Sequence, residues 1–499
     1  MAEANIDDVL NALGFGRMQL IIFFSCATQQ MYVANEQFGL GLVSVAASCD
    51  FAIDDHRMAW LISAVFVAQV CSSHYMGYKS DEIGRRKLLV ISSGLSMIAS
   101  FISSLMPDFW SFLVMRFIVG CFLTGPGMAL VTYMSEFTKV ALRPTVVNFI
   151  SYSVGVSMIY MPLMAMWLFP LKFEAKIWEG YNFTSWRVLI LINLLPGVLS
   201  WIAFLIMPES PKYLLSINQP AKALEVLEMC CRYNKGKDVT LKSLGFESVS
   251  QPRLRGNSVT QHKFLLARMW YETVPLFLGI YLKYMVLILI ILYIFFATGF
   301  GLTVWVPRIV NMEHTVEEEL ILCDLVEVAE AAEEAANNTL SESKCTISRT
   351  LLLGSIFNGC SCLGMSILIS LLLLCLRRKV ILLLFTIFAV LAGFLLNFII
   401  TPVVLLSLFI FLSVPPLCSL RLTITVLIDV IPTHMRSKAV ALAMMFGRIG
   451  VLTASLFVGY TLKWNCFVTF NSFVLALLIC CVLIARLPSE KDIVRLSNK

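Results

Sequence analysis

The sequence predicts an all-α membrane protein with twelve transmembrane helices. Of its 499 residues, 59% are hydrophobic and only 14% are charged, whereas a soluble domain is about 45–50% apolar and about 25% charged. The mean hydropathy is +0.83, and the apolar residues fall in long runs. So few charges cannot cover a water-exposed surface, which excludes a soluble enzyme and a nucleic-acid-binding protein.

Residues 1–17 are predicted to form a polar, cytoplasmic N-terminal tail. This tail lacks the layout of a cleavable signal peptide, so we expect the first apolar run, which begins near Met18, to remain as an anchor. A membrane helix needs about 20 mostly apolar residues. Six such runs make up an N-terminal six-helix bundle over 18–207, and they lie at 18–42, 58–78, 88–107, 109–131, 146–169 and 187–207.

A long polar stretch, 208–283, follows the first bundle and is expected to form a cytoplasmic central loop. The C-terminal six-helix bundle covers 284–486. Its runs lie at 284–306, 350–376, 380–400, 402–426, 437–460 and 464–486. Residues 487–499 form a short cytoplasmic tail. The pattern is therefore six spans, a hydrophilic centre and six further spans.

The distribution of positive charge predicts the orientation. Lys and Arg are concentrated in the loop after span 2, in the central loop and in the loop after span 8. With twelve spans, all three segments lie on the same side as the N-terminus, and the acidic loop 309–349 lies on the other side. Because cytoplasmic loops carry an excess of Lys and Arg, both termini are predicted to be cytoplasmic, and the acidic loop luminal or extracellular.

Two glycosylation sequons and two cysteines lie in loops on the predicted outer side. The sequons are Asn182-Phe-Thr184 and Asn337-Asn-Thr339, and their position makes both asparagines candidates for glycosylation. Cys323 and Cys345 share the acidic loop. They either form a disulfide in an oxidising compartment or remain as two unpaired thiols.

Ionisable residues inside membrane spans are costly and often mark transport pathways or ion pairs. Arg448 lies about eleven residues into span 11, and Arg421 lies eleven residues before Pro432, so both are about 16 Å deep at 1.5 Å per residue. The candidate acidic partners, Glu36 and Asp429, are not obviously at this depth. The two guanidiniums therefore either bind an anionic ligand or a coupled ion, or bond backbone carbonyls and hold helices together.

Three further residues in the spans have structural explanations of their own. Arg116, about six residues into span 4, is interpreted as a structural tie between helices. Trp167 in span 5 and Trp305 at the end of span 7 either line the substrate cavity or anchor the protein in the membrane interface. The five histidines are scattered, and the sequence contains no metal-ligand spacing and no phosphate-binding glycine loop. We therefore expect no enzymatic activity, metal or cofactor.

The loop after span 2 carries the most specific motif. Gly77-Tyr-Lys-Ser-Asp81-Glu-Ile-Gly84-Arg85-Arg86-Lys87 resembles the signature of the major facilitator superfamily. The acidic residue of this motif can meet a helix N-terminus and basic partners at a cytoplasmic gate. Lys79 and Glu82 depart from the signature, so the charge network of the gate is expected to differ. The resemblance implies a gate of ten residues: Gly77, Asp81, Gly84, Arg85, Arg86, Glu136, Arg143, Glu209, Asp429 and Arg436.

Other stretches narrow the resemblance. They include Ser185-Trp186-Arg187, Pro208-Glu209-Ser210-Pro211-Lys212-Tyr213-Leu214 and Gly301-Leu-Thr-Val-Trp305-Val-Pro307. Together they are similar to the synaptic vesicle glycoprotein 2 family, which is related to the organic ion transporters. The resemblance implies a major facilitator fold of two six-helix bundles with a central cavity and alternating access. It also implies a multi-pass glycoprotein of intracellular, synaptic-type vesicles or of the plasma membrane. The acidic loop between spans 7 and 8 is much shorter here than the large luminal domain of the synaptic vesicle glycoprotein 2 proteins.

The resemblance also bears on the cavity. Glu36 matches an acidic position of the family's first span, whereas a second acidic position is here Val33. Arg448 matches a basic position, and Arg421 stands where an amide is more common. This exchange predicts a secondary transporter of a small anionic or zwitterionic organic solute, with Glu36 as the candidate for a coupled proton or counter-ion. The alternative is a vesicle membrane glycoprotein that does not transport and acts as a regulator, receptor or scaffold.

Overall fold

The fold is that of a helical membrane protein, seen here in a computed structural model. The structure describes residues 4–171, 173–178, 181–236, 238–250, 281–315, 320–337, 347–431 and 436–488. Eleven described helices are long and apolar enough to cross a membrane. A twelfth span is counted when the N-terminal helix and the helix after it, which meet at a bend of 100°, are taken together. The prediction of an all-α protein with twelve spans is confirmed.

The twelve spans are numbered in chain order. Their bounds are Arg17–Ala46, Asp55–Ile83, Arg85–Ser104, Phe109–Glu136, Arg143–Leu168, Ser185–Asn193 with Leu195–Ile206, Tyr281–Phe295 with Phe296–Gly301 and Leu302–Thr315, Arg349–Leu372, Arg378–Leu395, Pro402–Val430, Arg436–Thr461 and Cys466–Ala485. Span 7 contains a π-helical segment, Phe296–Gly301, between two α-helices. We call spans 1–6 the N-half and spans 7–12 the C-half.

Shorter elements cover the ends of the bundle. The α-helices among them are Ile6–Leu13, Ser48–Phe51, Pro211–Ser216, Pro220–Lys235 and Leu322–Asn337, and the 3-10 helices are Val140–Leu142, Phe169–Leu171 and Lys242–Leu244. Strands Ala4–Asn5 and Val249–Ser250 pair in parallel. Strands Glu174–Trp178 and Tyr181–Thr184 form an antiparallel hairpin. We call the end with Ile6–Leu13 and Pro220–Lys235 the basic end, and the end with the hairpin and Leu322–Asn337 the acidic end.

Short polar residues begin several spans at the acidic end. Asp54, Asp108, Ser348 and Asn465 each accept a hydrogen bond from a backbone N–H in the first turn of spans 2, 4, 8 and 12. Such caps satisfy donors that the helix itself leaves unpaired. All four spans run from the acidic end towards the basic end, so the caps fix the acidic rim of the bundle.

The two halves meet where spans 1 and 7, 2 and 11, and 5 and 8 pack together. Spans 1 and 7 approach closely at Gly41, where an added Cβ would lie 2.2 Å from the carbonyl oxygen of Val304. Small residues permit this kind of backbone contact between membrane helices. Nearer the basic end, Asn148 of span 5 donates a hydrogen bond of 2.7 Å to Ser370 of span 8.

The cysteine pairing differs from the prediction. Cys323, in the helix Leu322–Asn337, forms a disulfide with Cys466 at the start of span 12, so both alternatives considered for Cys323, a pair with Cys345 and an unpaired thiol, are wrong. Cys345 itself lies outside the described residues. Leu322, Val326 and Ala329 are buried in the main core, and this packing docks the helix beside span 12. Cys466 falls inside the apolar run 464–486, and nothing in the sequence marks it as a partner of Cys323.

Candidate functional site

Arg448 lies on span 11 at the contact between the halves. It is only 5% exposed. Its guanidinium donates hydrogen bonds to the hydroxyl of Ser73 and, at 3.4 Å, to the carbonyl oxygen of Gln69, both on span 2 of the opposite half. Gln69 also accepts a hydrogen bond of 3.3 Å from Gln37 of span 1. Among the described residues no carboxylate pairs with Arg448, so a buried cation faces neutral acceptors.

Arg421 lies nine residues before the end of span 10, about 14 Å from the basic end at 1.5 Å per residue. Its side chain is half-buried, and no hydrogen bond or ion pair links its guanidinium to another described residue. A charged group at this depth needs water, a counter-ion or a ligand. Asp429, a candidate partner in the sequence, pairs with Arg378 instead.

Both carboxylate oxygens of Glu36 are hydrogen-bonded to residues of the N-half. Its two carboxylate oxygens accept hydrogen bonds of 2.6 Å from Arg116 and 2.8 Å from Ser100. Glu36 and Arg116 are 4% and 2% exposed. The idea that Glu36 neutralises Arg448 or Arg421 is therefore wrong, because its partner is Arg116 on span 4. The interpretation of Arg116 as a tie between helices agrees with this contact.

A small cavity adjoins this ion pair. It is lined by four polar residues, Asn35, Glu36, Arg116 and Asn193, and by five apolar ones. Asn35 accepts a hydrogen bond of 2.6 Å from Ser157 and donates one of 3.2 Å to the carbonyl oxygen of Asn193. Spans 1, 4, 5 and 6 are thus joined by buried polar contacts around the Glu36 carboxylate.

The two tryptophans proposed for the cavity occupy different environments. Trp167, one residue before the end of span 5, is 64% exposed on the outside of the bundle. Its assignment to the cavity is wrong, and its position fits the interfacial belt in which indole rings are enriched. Trp305 is 1% exposed, so the interpretation that it anchors the protein in the membrane interface is wrong. Its ring lies next to Gly459 of span 11.

The junction of spans 2 and 3, which the sequence places in a loop, carries a dense charge network at the basic end. Arg85 pairs with Asp81 at 2.9 Å and with Glu136, the last residue of span 4, at 3.2 Å. The two residues that depart from the family signature pair with each other, since Lys79 lies 2.6 Å from Glu82. The substitutions therefore form a local ion pair on the surface and leave the Arg85 contacts intact.

Glu209 caps span 3 from the end of span 6. Its carboxylate accepts hydrogen bonds from the backbone N–H groups of Arg86 and Lys87, at 2.9 and 3.3 Å. The acid at this helix N-terminus is thus Glu209 and not Asp81, whose side chain is 76% exposed. Gly84 makes the contact possible, because its φ is +102° and an added Cβ would lie 2.5 Å from a Glu209 oxygen.

The C-half repeats this arrangement with different residues. Arg378, at the start of span 9, pairs with Asp429 near the end of span 10. Lys379 donates to the carbonyl oxygens of Ala485 and Leu487, at 2.7 and 2.9 Å, as Arg86 does to Phe204 at the end of span 6. The side chain of Arg436 lies outside the described residues. Gly77 is also among the predicted gate residues. An added Cβ there would meet nothing within 4 Å, so no close contact requires a glycine at this position.

The N-terminal helix is attached to the N-half by an ionic contact that the sequence analysis missed. Asp7 accepts hydrogen bonds of 2.7 Å from Arg143 and 2.6 Å from Lys212. Burial alone would raise the pKa of Asp7, but these two cations outweigh it and hold the pKa below its usual value. Val9 and Leu10 are buried against the helix Pro220–Lys235. The predicted tail is therefore a docked amphipathic helix.

The predicted glycosylation sites lie at the acidic end. Asn182 is exposed on the hairpin strand Tyr181–Thr184, and its side-chain amide donates a hydrogen bond of 2.6 Å to Glu174. Asn337 is the last residue of the helix Leu322–Asn337, and its side chain lies outside the described residues.

Comparison with known families identifies the first part of the chain. The model of the family described as sugar (and other) transporter matches residues 21–285. Among solved structures, the xylose transporter XylE from E. coli in a partially occluded inward open conformation superposes with a TM-score of 0.65 and 13% identity. The superposition covers 95% of this chain and 100% of that chain. At this identity the likeness shows the fold alone.

Curated relatives point in the same direction. The synaptic vesicle glycoprotein 2C of Mus musculus is 30% identical over 225 residues, which cover 44% of this chain and 30% of that protein. The organic cation/carnitine transporter 7 of Arabidopsis thaliana is 28% identical over 240 residues, which cover 47% of this chain and 45% of that protein. The chain thus matches less than half the length of either relative. These similarities confirm the resemblance that the sequence motifs predicted.

Proposed function

The chain belongs to the sugar (and other) transporter family of the major facilitator superfamily, and on this premise we propose that it is a secondary transporter of a small organic anion or zwitterion that works by alternating access. The observation that carries the proposal is Arg448, a buried cation of the C-half whose bonds to other described residues go to neutral groups of Gln69 and Ser73 in the N-half. A solute bound there would contact both halves, as alternating access requires.

The preference for a negatively charged group follows from the charges near the middle of the bundle. Arg448 and Arg421 have no carboxylate partner among the described residues, while Glu36 is paired with Arg116. An anionic group that bound these guanidiniums would form charge-assisted hydrogen bonds, which are about twice as strong as neutral ones. A solute that is only cationic would be repelled by the same pair.

We assign the coupling of transport to a proton, with Glu36 as the site. A structure related in fold is that of a proton:xylose symporter, and Glu36 is a buried carboxylate beside a small cavity. The test compares Glu36→Gln with the unmodified protein in proteoliposomes. We expect the variant to lose accumulation driven by a pH gradient and to keep exchange of solute without a gradient. Equal gradient-driven accumulation would contradict the assignment.

We further place the basic end in the cytoplasm and the acidic end in the lumen of a vesicle or outside the cell. Three features support this orientation: the Lys and Arg of the loops at the basic end, the disulfide at the acidic end and the exposed sequon at Asn182. The vesicle location rests on the similarity to the synaptic vesicle glycoprotein 2C.

The same similarity favours a second candidate function. The chain could act as a vesicle membrane glycoprotein that regulates, receives or organises other proteins without moving a solute. One experiment separates the two. Metabolite profiling of cells that lack the protein supplies candidate solutes, and uptake of each is then measured with the purified protein in proteoliposomes. Saturable uptake supports the transporter, and a complete panel without uptake favours the second function.

A further inference from the structure

Asp55 and Arg308 form an ion pair across the two halves at the acidic end. Asp55 is the first residue of span 2, and Arg308 lies on span 7. The guanidinium Nε of Arg308 lies 2.8 Å from the Asp55 carboxylate, and the side chains are 12% and 1% exposed. Among the ion pairs between described residues, this is the one that links the N-half to the C-half.

Neighbouring contacts close the same region. Trp60, five residues along span 2 from Asp55, donates a hydrogen bond of 2.8 Å to Tyr460 of span 11. Gly459 packs so tightly against span 2 that an added Cβ would lie 2.9 Å from the carbonyl oxygen of Asp55. The first two turns of span 2 therefore touch both span 7 and span 11 of the other half.

The basic end has a different distribution of charge. The ion pairs described there, which include Arg85–Glu136, Arg143–Asp7, Lys212–Asp7 and Arg378–Asp429, each stay within one half, within one flanking helix, or join a half to its own flanking helix. The described hydrogen bonds between halves nearest that end are the neutral contacts of Asn148 and Tyr152 with Ser370. The halves can separate at the basic end without breaking any of these ion pairs.

We propose that the Asp55–Arg308 pair is a latch that keeps the acidic end of the transport pathway closed and must break for that end to open. The proposal rests on the alternating-access function. Separation of the halves at this end would leave a buried carboxylate and a buried guanidinium without each other, and the loss of one partner from a buried pair is strongly destabilising. The latch thus biases the protein towards opening at the basic end.

The test measures the distance between spin labels at Leu105 and Trp464, two exposed positions at the acidic rim of the N-half and the C-half. The chain has 15 cysteines, so the labels are attached through unnatural amino acids. Asp55→Asn and Arg308→Gln are each expected to raise the long-distance population ~10-fold, within the range typical of coupling between sites. Arg232→Gln, which breaks an exposed pair with Glu228, serves as the control and should change nothing.

If the single variants fold poorly, a charge-swapped variant tests the latch. Asp55→Arg combined with Arg308→Asp restores an ion pair and is expected to restore the short distance. A distance distribution in either single variant that matches the unmodified protein overturns the latch, as does a long distance in the charge-swapped variant. Because the readout is a distance, a shift without any solute uptake would keep the latch and reject the proposed transport.

Discussion

Glu36 and Arg116, on spans 1 and 4, form an ion pair of 2.6 Å in which both side chains are almost completely buried. The contact removes one of the two acids that the sequence offered to Arg448 and Arg421, and the other, Asp429, pairs with Arg378. It also gives the N-half a charged centre of its own, to which Ser100 of span 3 contributes a further hydrogen bond. The charge left for a solute is therefore that of Arg448 and Arg421.

Removal of Arg116 should destabilise the protein strongly. Arg116→Leu leaves the Glu36 carboxylate buried without its cation, and the loss of one partner from such a pair costs about 3–5 kcal/mol. We expect a clear decrease in the thermal unfolding temperature of the purified protein. The exposed pair of Arg232 with Glu228 provides the control, because Arg232→Gln should cost under about 1 kcal/mol. Equal unfolding temperatures for the two variants would show that the pair contributes little.

The disulfide can be read directly by peptide mapping. Digestion of the unreduced protein should release a peptide pair joined through Cys323 and Cys466. Cys323→Ser and Cys466→Ser should lose the same species, and the two variants should lose a similar amount of stability because each opens the same loop. A peptide that joins Cys323 to Cys345 would instead support the pairing that the sequence left open.

The attachment of the N-terminal helix should depend on pH. The pKa of Asp7 is lowered from its usual 3.8, so ionised Asp7 stabilises the folded state, and this contribution is lost as the pH falls through the lowered value. A fluorine label at Phe15 should report detachment only at strongly acidic pH. The variant Asp7→Asn should show faster hydrogen exchange over residues 6–13 already at neutral pH, and the label should show no such acidic transition.

The neighbouring residue provides a matched control for that experiment. Asp8 is exposed on the same helix, so Asp8→Asn removes the same charge without touching Arg143 or Lys212. Its hydrogen exchange should match that of the unmodified protein. Equal exchange in Asp7→Asn and Asp8→Asn would mean that the apolar face, and not the ionic contact, holds the helix.

Glycosylation tests the orientation of the chain. Asn182 is exposed on the hairpin at the acidic end, and we expect it to carry a glycan in cells that glycosylate proteins. Asn182→Gln should lose the mass removed by a glycosidase. Thr184→Ala should do the same, since it breaks the sequon and keeps the asparagine. A glycan found at neither residue of the two sequons would argue against a luminal acidic end.

Hydropathy was sufficient to predict the helices, because each membrane span must satisfy its own backbone hydrogen bonds over a fixed thickness. Depth along the spans could also have found the pair of Glu36 and Arg116. On the predicted spans 18–42 and 109–131, Glu36 lies six residues from the outer end of span 1 and Arg116 seven residues into span 4, or about 9 and 10 Å at 1.5 Å per residue. This match in depth favours Arg116 as the partner of Glu36 over the arginines of the C-half.

Other contacts could not be predicted from the sequence because they depend on how the halves pack. In the sequence, Asp55 is an ordinary polar residue at a span boundary, and its contact with Arg308 of the other half is visible only in the packed structure. Cys466 resembles a small apolar residue until the helix Leu322–Asn337 docks beside it. Trp167 and Trp305 occupy similar positions near span ends in the sequence, yet one faces outward and the other is enclosed.

The most direct test of the central claim is uptake of a labelled organic anion and a size-matched organic cation by proteoliposomes that contain the unmodified protein, Arg448→Ala, Arg448→Lys or Arg349→Ala. Arg349 is an exposed arginine at the start of span 8 and controls for loss of charge. We expect the unmodified protein to prefer the anion and Arg448→Ala to lose at least ~10-fold in uptake efficiency, since hydrogen bonds to charged groups are worth about 1.5–3 kcal/mol. Arg448→Lys should retain part of the activity. Anion uptake that is unchanged in Arg448→Ala, or a preference of the unmodified protein for the cation, would contradict an anion site between the halves.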